Sequence, residues 1–154
     1  MKPRRGLLVA TLMLAAMGGG EMAMADPMVL CSAFEGRLVH QDGRPAAGIR
    51  IRRAWHWSWN DSRGSDTAIT GKDGRFSFDE VVGRTLLGAL LPHQPRILQT
   101  ITAGDAESLI WRVQKPDYDR NGETLGRRIR VTCVFGAEPG RGGPAYGTCQ
   151  FSDE

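Results

Sequence analysis

Three tryptophans alternate with smaller or polar residues in Trp55-His56-Trp57-Ser58-Trp59. On an extended strand alternate side chains share a face, so the three indoles would project together. Two readings stay open. The row completes the apolar stripe begun by Ile49 and Ile51, or it stands out of the core as a binding surface. Arg53 interrupts that stripe, and three consecutive indoles need much room. At least one therefore falls at an edge or mouth, where it would anchor a protein partner or stack on a sugar ring. Tyr118, beside Lys115-Pro116-Asp117, joins Trp55, Trp57 and Trp59 as a candidate contact residue, since aromatic and cationic side chains together are an interface composition.

A second group, Asp117-Tyr-Asp119-Arg-Asn121-Gly122-Glu123, reads like the front half of a calcium loop. Such loops place oxygen ligands at alternate positions and use the glycine for a sharp turn. Asp117, Asp119 and Asn121 are the candidate ligands. The closing glutamate is missing, because the twelfth position is Arg128, and Pro116 argues against an incoming helix. The competing reading is a polar turn with Asn121-Gly122 at its apex. The histidines, His40, His56 and His93, have no metal-binding spacing and read as turn or surface residues. No G-x-S-x-G elbow or H-E-x-x-H pair occurs. No catalytic residue and no cofactor are assigned.

Three cysteines remain. Cys133 lies in the strand-like run RRIRVTCVF and Cys149 in YGTCQF, with the glycine- and proline-rich stretch 136–144 between them as a loop. Strands joined in that way pair antiparallel and bring the two sulfurs together, so Cys133–Cys149 is the expected disulfide. Cys31 is then a buried thiol or an intermolecular partner. Cys31–Cys133 is the alternative.

The elements that must position these groups are short strands. They are predicted near 33–39, 48–57, 65–70, 75–79, 96–103, 108–114, 128–135 and 146–151, bounded mostly by Gly, Pro, Asp or Asn. Asp42-Gly43 and Asp73-Gly74 supply the positive φ of tight turns. Leu86 to Leu91 is expected to form a helical turn ended by Pro92 and Pro95. The loop 136–147 and the tail Ser152-Asp-Glu are expected to be mobile. Arg50-Arg52-Arg53 and Arg127-Arg128-Arg130 read as solvent-facing strand positions.

The run from Phe34 to Phe78 carries a further pattern. Gly36, Leu38, Gly43, Pro45, Gly48 and Ile51, followed by Thr70, Gly74, Phe76 and Phe78, resemble the carboxypeptidase-regulatory-like (transthyretin-like) signature. Gly71 stands where that family has Asp. The resemblance covers residues 34–82 and implies an all-β, antiparallel sandwich of about seven to eight strands. It implies no chemistry, because the matched positions specify turns and core.

Met1-Lys-Pro-Arg-Arg, the apolar Leu7–Met17 and Ala23-Met24-Ala25 read as a signal peptide over residues 1–25, leaving a single domain at 26–154. The apolar run is too short for a span, which needs about 20 residues. Loss of Lys2, Arg4, Arg5 and Glu21 takes the formal charge from +3 to +1, so the basic pI does not indicate nucleic-acid binding. The expected product is periplasmic or secreted. The leading reading is a non-catalytic binding module for a protein partner in the cell envelope, one version being an immunity-type protein that masks a toxin. Carbohydrate or cell-wall binding through an exposed Trp row, and an enzyme with an unrecognised site, are the alternatives.

Overall fold

The Asp-Gly turns form where the sequence places them. In the computed structural model, which describes residues 27–84 and 92–152, Gly43 has φ 83° and Gly74 φ 79°. A Cβ on Gly74 would stand 2.2 Å from the Leu38 carbonyl oxygen, so that turn admits no side chain. The expected signal peptide over residues 1–25, the helical turn expected at Leu86–Leu91 and Asp153-Glu154 of the tail lie outside the described residues.

Among the described residues twelve strands follow in order: β1 (Met28–Cys31), β2 (Phe34–Val39), β3 (Arg50–Trp57), β4 (Ser62–Ile69), β5 (Arg75–Phe78), β6 (Val81–Gly83), β7 (Ile97–Ala103), β8 (Ser108–Lys115), β9 (Ile129–Val134), β10 (Gly140–Gly142), β11 (Ala145–Gly147) and β12 (Cys149–Phe151). They build a β-sandwich. One sheet has the order β10-β11-β8-β7-β3-β4, the other β12-β9-β2-β5, and β1 pairs with β6 in a two-stranded ribbon. The core lies between the two larger sheets. Phe34, Leu38, Phe76, Phe78, Ile129 and Val131 from one meet Ile51, Ile101, Ile110, Trp111 and Val113 from the other. Trp111 is a core residue, as its apolar neighbours predict, and meets Phe34 edge-on at 5.3 Å. Each such side chain contributes about 1.5–3 kcal/mol of burial.

Several expectations are corrected. β1, β6 and β10 raise the strand count above eight. The third predicted strand starts at Ser62 instead of residue 65. The stretch 136–144 is not all loop, and 136–147 is not wholly irregular: β10 pairs with β11 there. The predicted strand 146–151 is two strands, one in each sheet, and the chain crosses between them at Thr148. A Cβ on Gly147 would sit 2.0 Å from the Ile110 carbonyl oxygen, so the crossing depends on that glycine. The sandwich is also not wholly antiparallel, since β2 pairs in parallel with β9.

Arg53 is the largest departure. It is not solvent-facing but fully buried. The two-residue period that points Ile51 inward does the same to Arg53. Its guanidinium is satisfied on every side. Nε donates to Asp66 at 3.0 Å, Nη2 donates to Asp66 and to the Asp79 carbonyl, and Nη1 reaches the Ser32 carbonyl at 3.4 Å. The Phe78 ring lies 4.7 Å from its centre. One side chain thereby ties edge strand β4 to β3, β1 and the β5–β6 turn.

Candidate functional site

The tryptophan row does not survive as a row. Trp57 projects between the sheets and is 1% exposed. Trp55 shares its face but is half-buried, laid over Gly64 on the neighbouring strand. A Cβ at Gly64 would come within 2.2 Å of that indole, so the glycine makes the room. Trp59 lies beyond the end of β3, in the turn before β4, and packs with Trp55 against the cluster of Leu30, Trp57 and Ile97. With Trp57 buried, the three indoles do not form an exposed platform.

The structure instead brings Trp57, Trp59 and Tyr118 together around His93. Trp57 Nε1–H donates to the Tyr118 hydroxyl at 3.0 Å, and their rings meet edge-on at 5.8 Å. The same hydroxyl is hydrogen-bonded to His93 Nε2. The His93 ring in turn stacks on Trp59, with centroids 3.8 Å apart and planes 24° from parallel. Met28, Leu30, Val81 and Ile97 pack behind the group. Trp59, His93 and Tyr118 are all half-buried, so this aromatic end is anchored on the core and partly open to solvent. Burial pushes the Tyr118 hydroxyl above the ordinary tyrosine value, against the Trp57 N–H that would favour the phenolate. Sequence reasoning leaves His93 as a turn or surface residue. Nothing local marks it, because its partners are Trp59 and Tyr118, far along the chain in either direction.

The acidic turn holds a cation of its own. Lys115, at the end of β8, is 1% exposed, and its Nζ donates to Glu123 Oε2 at 2.8 Å and to the Asp119 carbonyl, with Asp117 Oδ1 at 3.6 Å. Of the candidate calcium ligands, Asp117 thus has the lysine ammonium beside its carboxylate, and Asp119 offers the ammonium its backbone carbonyl. Among the described residues no group of three or more His, Cys, Asp or Glu is placed to hold a metal. Asp117 accepts the Asp119 N–H at 3.1 Å, as in an Asx turn. A Cβ on Gly122 would overlap the Asp117 carboxylate at 1.7 Å. Glu123, in a 3-10 turn at Gly122–Thr124, also accepts from the Ser32 N–H at 3.1 Å and the Ser32 hydroxyl at 2.8 Å. The carboxylate thus pins the loop to the residue following β1. The sequence singles out neither for this role: Lys115 reads there as part of an interface-like cluster and Glu123 as the end of the calcium-like run.

Cys133 and Cys149 are bonded, in direct register across β9 and β12, with Cα atoms 3.9 Å apart. Cys31 is a free, buried thiol, so the alternative Cys31–Cys133 pairing is excluded. Burial pushes that thiol up to about 12. At neutral pH it is protonated and a poor nucleophile.

Two outer faces complete the surface. That of the four-stranded sheet forms a depression of about 760 Å³ walled by arginines and hydroxyls. That of the six-stranded sheet carries a smaller one, about 380 Å³, over Ala54 and Thr100.

Most of these features fall within a known family unit. The chain belongs to the family described as "Domain of unknown function (DUF6795)", which matches residues 34–138. No curated protein and no solved structure matches the chain. The matched segment runs from β2 through β9. It contains Trp55, Trp57, Trp59, His93, Lys115, Tyr118 and Glu123 but not Cys149.

Proposed function

We propose that this protein is a non-catalytic, exported binding module that recognises another protein of the cell envelope through its aromatic end. The observation that carries the reading is the Trp59–His93–Tyr118 group. Trp57 closes the core beneath it and holds Tyr118 by a hydrogen bond, so the outer rings are pre-positioned before any partner arrives. Rigid, half-buried aromatic rings with polar tips are the side chains on which protein interfaces concentrate their binding energy. Little ordering entropy remains to be lost on association. The resemblance of residues 34–82 to carboxypeptidase-regulatory-like domains is consistent with a scaffold role, and the proposed signal peptide supplies the compartment.

The test is crosslinking in envelope extract, followed by direct titration of the partner identified. The Trp59→Ala variant is expected to lose that partner while remaining folded at assay temperature, with a somewhat lower unfolding midpoint, and Arg52→Ala on the six-stranded sheet's outer face is expected to keep it. A partner bound equally by Trp59→Ala defeats the reading. Saturable quenching of indole fluorescence by a glycan, lost in Trp59→Ala, would move the site to carbohydrate binding.

A further inference from the structure

Strand β4 forms one edge of the six-stranded sheet, and among the described residues no strand pairs with its outer side. The phase of its backbone follows from its neighbour. Thr70 N–H donates to the Ile49 carbonyl at 2.9 Å, and the β3–β4 register runs on from there without a shift. In an antiparallel ladder the residues that exchange bonds alternate. Ser62, Gly64, Asp66 and Ala68 therefore face β3, while Arg63, Ser65, Thr67 and Ile69 turn their N–H and C=O groups outward. Those four residues are also exposed, Ile69 to 60%.

A long edge strand is normally protected by a proline, a lysine, a bulge or an inward-pointing charge. β4 has no proline, lysine or bulge. Its inward charge, Asp66, is already neutralised by Arg53, and its outward one, Arg63, meets Asp61 of the preceding turn at 3.0 Å. Arg53 also fastens the strand from beneath, so the edge is ordered before anything meets it.

We propose that β4 pairs with β4 of a second copy of this chain, antiparallel about a two-fold axis at Ser65. Directly paired residues point to the same face, so outward-bonding residues must meet outward-bonding residues. Two such registers use most of the strand. One is centred on Asp66 and sets that carboxylate against its own copy, a like-charge pair that destabilises. The other is centred on Ser65. It sets Ser65 against Ser65, Arg63 against Thr67 and Asp66 against Gly64 of the other copy, with no like charges opposed. Arg63 with Thr67, Ser65 with Ser65, and Thr67 with Arg63 would each exchange two backbone bonds. The charge pattern is thus compatible with its own copy in one register, and that pairing satisfies both edges at once. A single strand pair is a small interface, near or below about 1,200 Å², so the dimer is expected to be weak and concentration-dependent. The edge is distinct from the aromatic end, so the proposal stands whether or not that end binds a protein.

The experiment is sedimentation velocity of the full chain from about 1 to 200 µM, where a reversible monomer–dimer equilibrium is expected. Thr67 N–H points away from β3, so Thr67→Pro removes a donor from the outer edge alone and should weaken the dimer about tenfold. Ser65→Cys reads the register and leaves the backbone untouched. Across a bonded pair the Cα atoms lie about 5.5 Å apart, within disulfide reach, so mild oxidation should crosslink two copies. Thr67→Cys, which faces Arg63 of the other copy, should crosslink about fivefold more slowly or less, whereas a mixture of Thr67→Cys and Arg63→Cys should form the mixed disulfide. All three positions are exposed, so these cysteine variants should unfold as the wild type does. Trp59→Ala should dimerise like the wild type. The proposal is overturned by a chain that stays monomeric throughout, as it would if another segment or another protein covered the edge. It is equally overturned by a dimer that Thr67→Pro leaves intact, or by Thr67→Cys crosslinking as fast as Ser65→Cys.

Discussion

The two halves of this sandwich are closed in different ways. Around Cys133, Phe34 and Trp111 the interior is apolar and the C-terminal strand is tied down covalently. Around Trp57 and Ser32 the interior holds a guanidinium, an ammonium and a carboxylate, each below 5% exposed, beside hydrogen-bonded aromatic rings. The apolar half tolerates small errors of geometry, since packing is non-directional. The ionic half does not, because each buried charge needs its partner in place. The contrast teaches that the loop 117–126 and β1 are held by directional bonds, while the two main sheets are held by burial.

The sharpest way to break that contrast is at Lys115. Lys115→Met leaves Glu123 charged and buried without its counter-ion, and should cost about 3–5 kcal/mol in urea unfolding. Adding Glu123→Leu should recover only part of this, because Ser32 N–H and hydroxyl then lose their acceptor. Calcium or EDTA should leave the wild-type midpoint unmoved, the loop's cation being covalently attached.

Reducing the Cys133–Cys149 bond is the corresponding test of the apolar half. The expected loss is about 3 kcal/mol for a loop of this size under the chain-entropy view, read as a lower melting temperature with dithiothreitol. A larger effect than Lys115→Met would reverse the ranking of the two halves.

Tyr118→Phe should cost about 1 kcal/mol, since the Trp57 N–H loses its acceptor. Tyr118 also sets an alkaline limit. Its folded value lies above the unfolded one, so its stabilising contribution is complete below the unfolded value of about 10 and is lost as pH rises through the folded value. Urea midpoints measured from pH 8 upward should show that decline in the wild type and a weaker one in Tyr118→Phe.

The smallest effect is chemical. Cys31 should resist iodoacetamide at pH 8 in the folded chain and react only when urea exposes it, as mass spectrometry would show. Ready labelling of the native protein would mean that β1 opens on its own.

Strands bounded by Asp-Gly turns are legible because turn and period are local signals; β2, β3, β5, β7, β8 and β9 fall within about two residues of their predicted limits. The disulfide is legible because two strands and a glycine-rich connection fix its geometry. Arg53 and Lys115 are not, because a charged side chain reads as exposed unless its partners are known, and theirs lie on other strands and loops. The Trp row misleads for a simpler reason. The strand ends at Trp57, and a period of two says nothing about where a strand stops. His93 can be found only through contacts that the fold creates.

The parallel pairing of β2 with β9 joins Phe34–Val39 to Ile129–Val134, segments separated by most of the domain. Hairpins can form as soon as their turns are made, but this pair must wait until the chain has closed a very long loop. Until then β2 presents one backbone edge without its partner strand. The nascent protein would thus be vulnerable to misassociation at its N-terminal third for as long as its later strands are missing, and its maturation rate would be set by synthesis and delivery of β9.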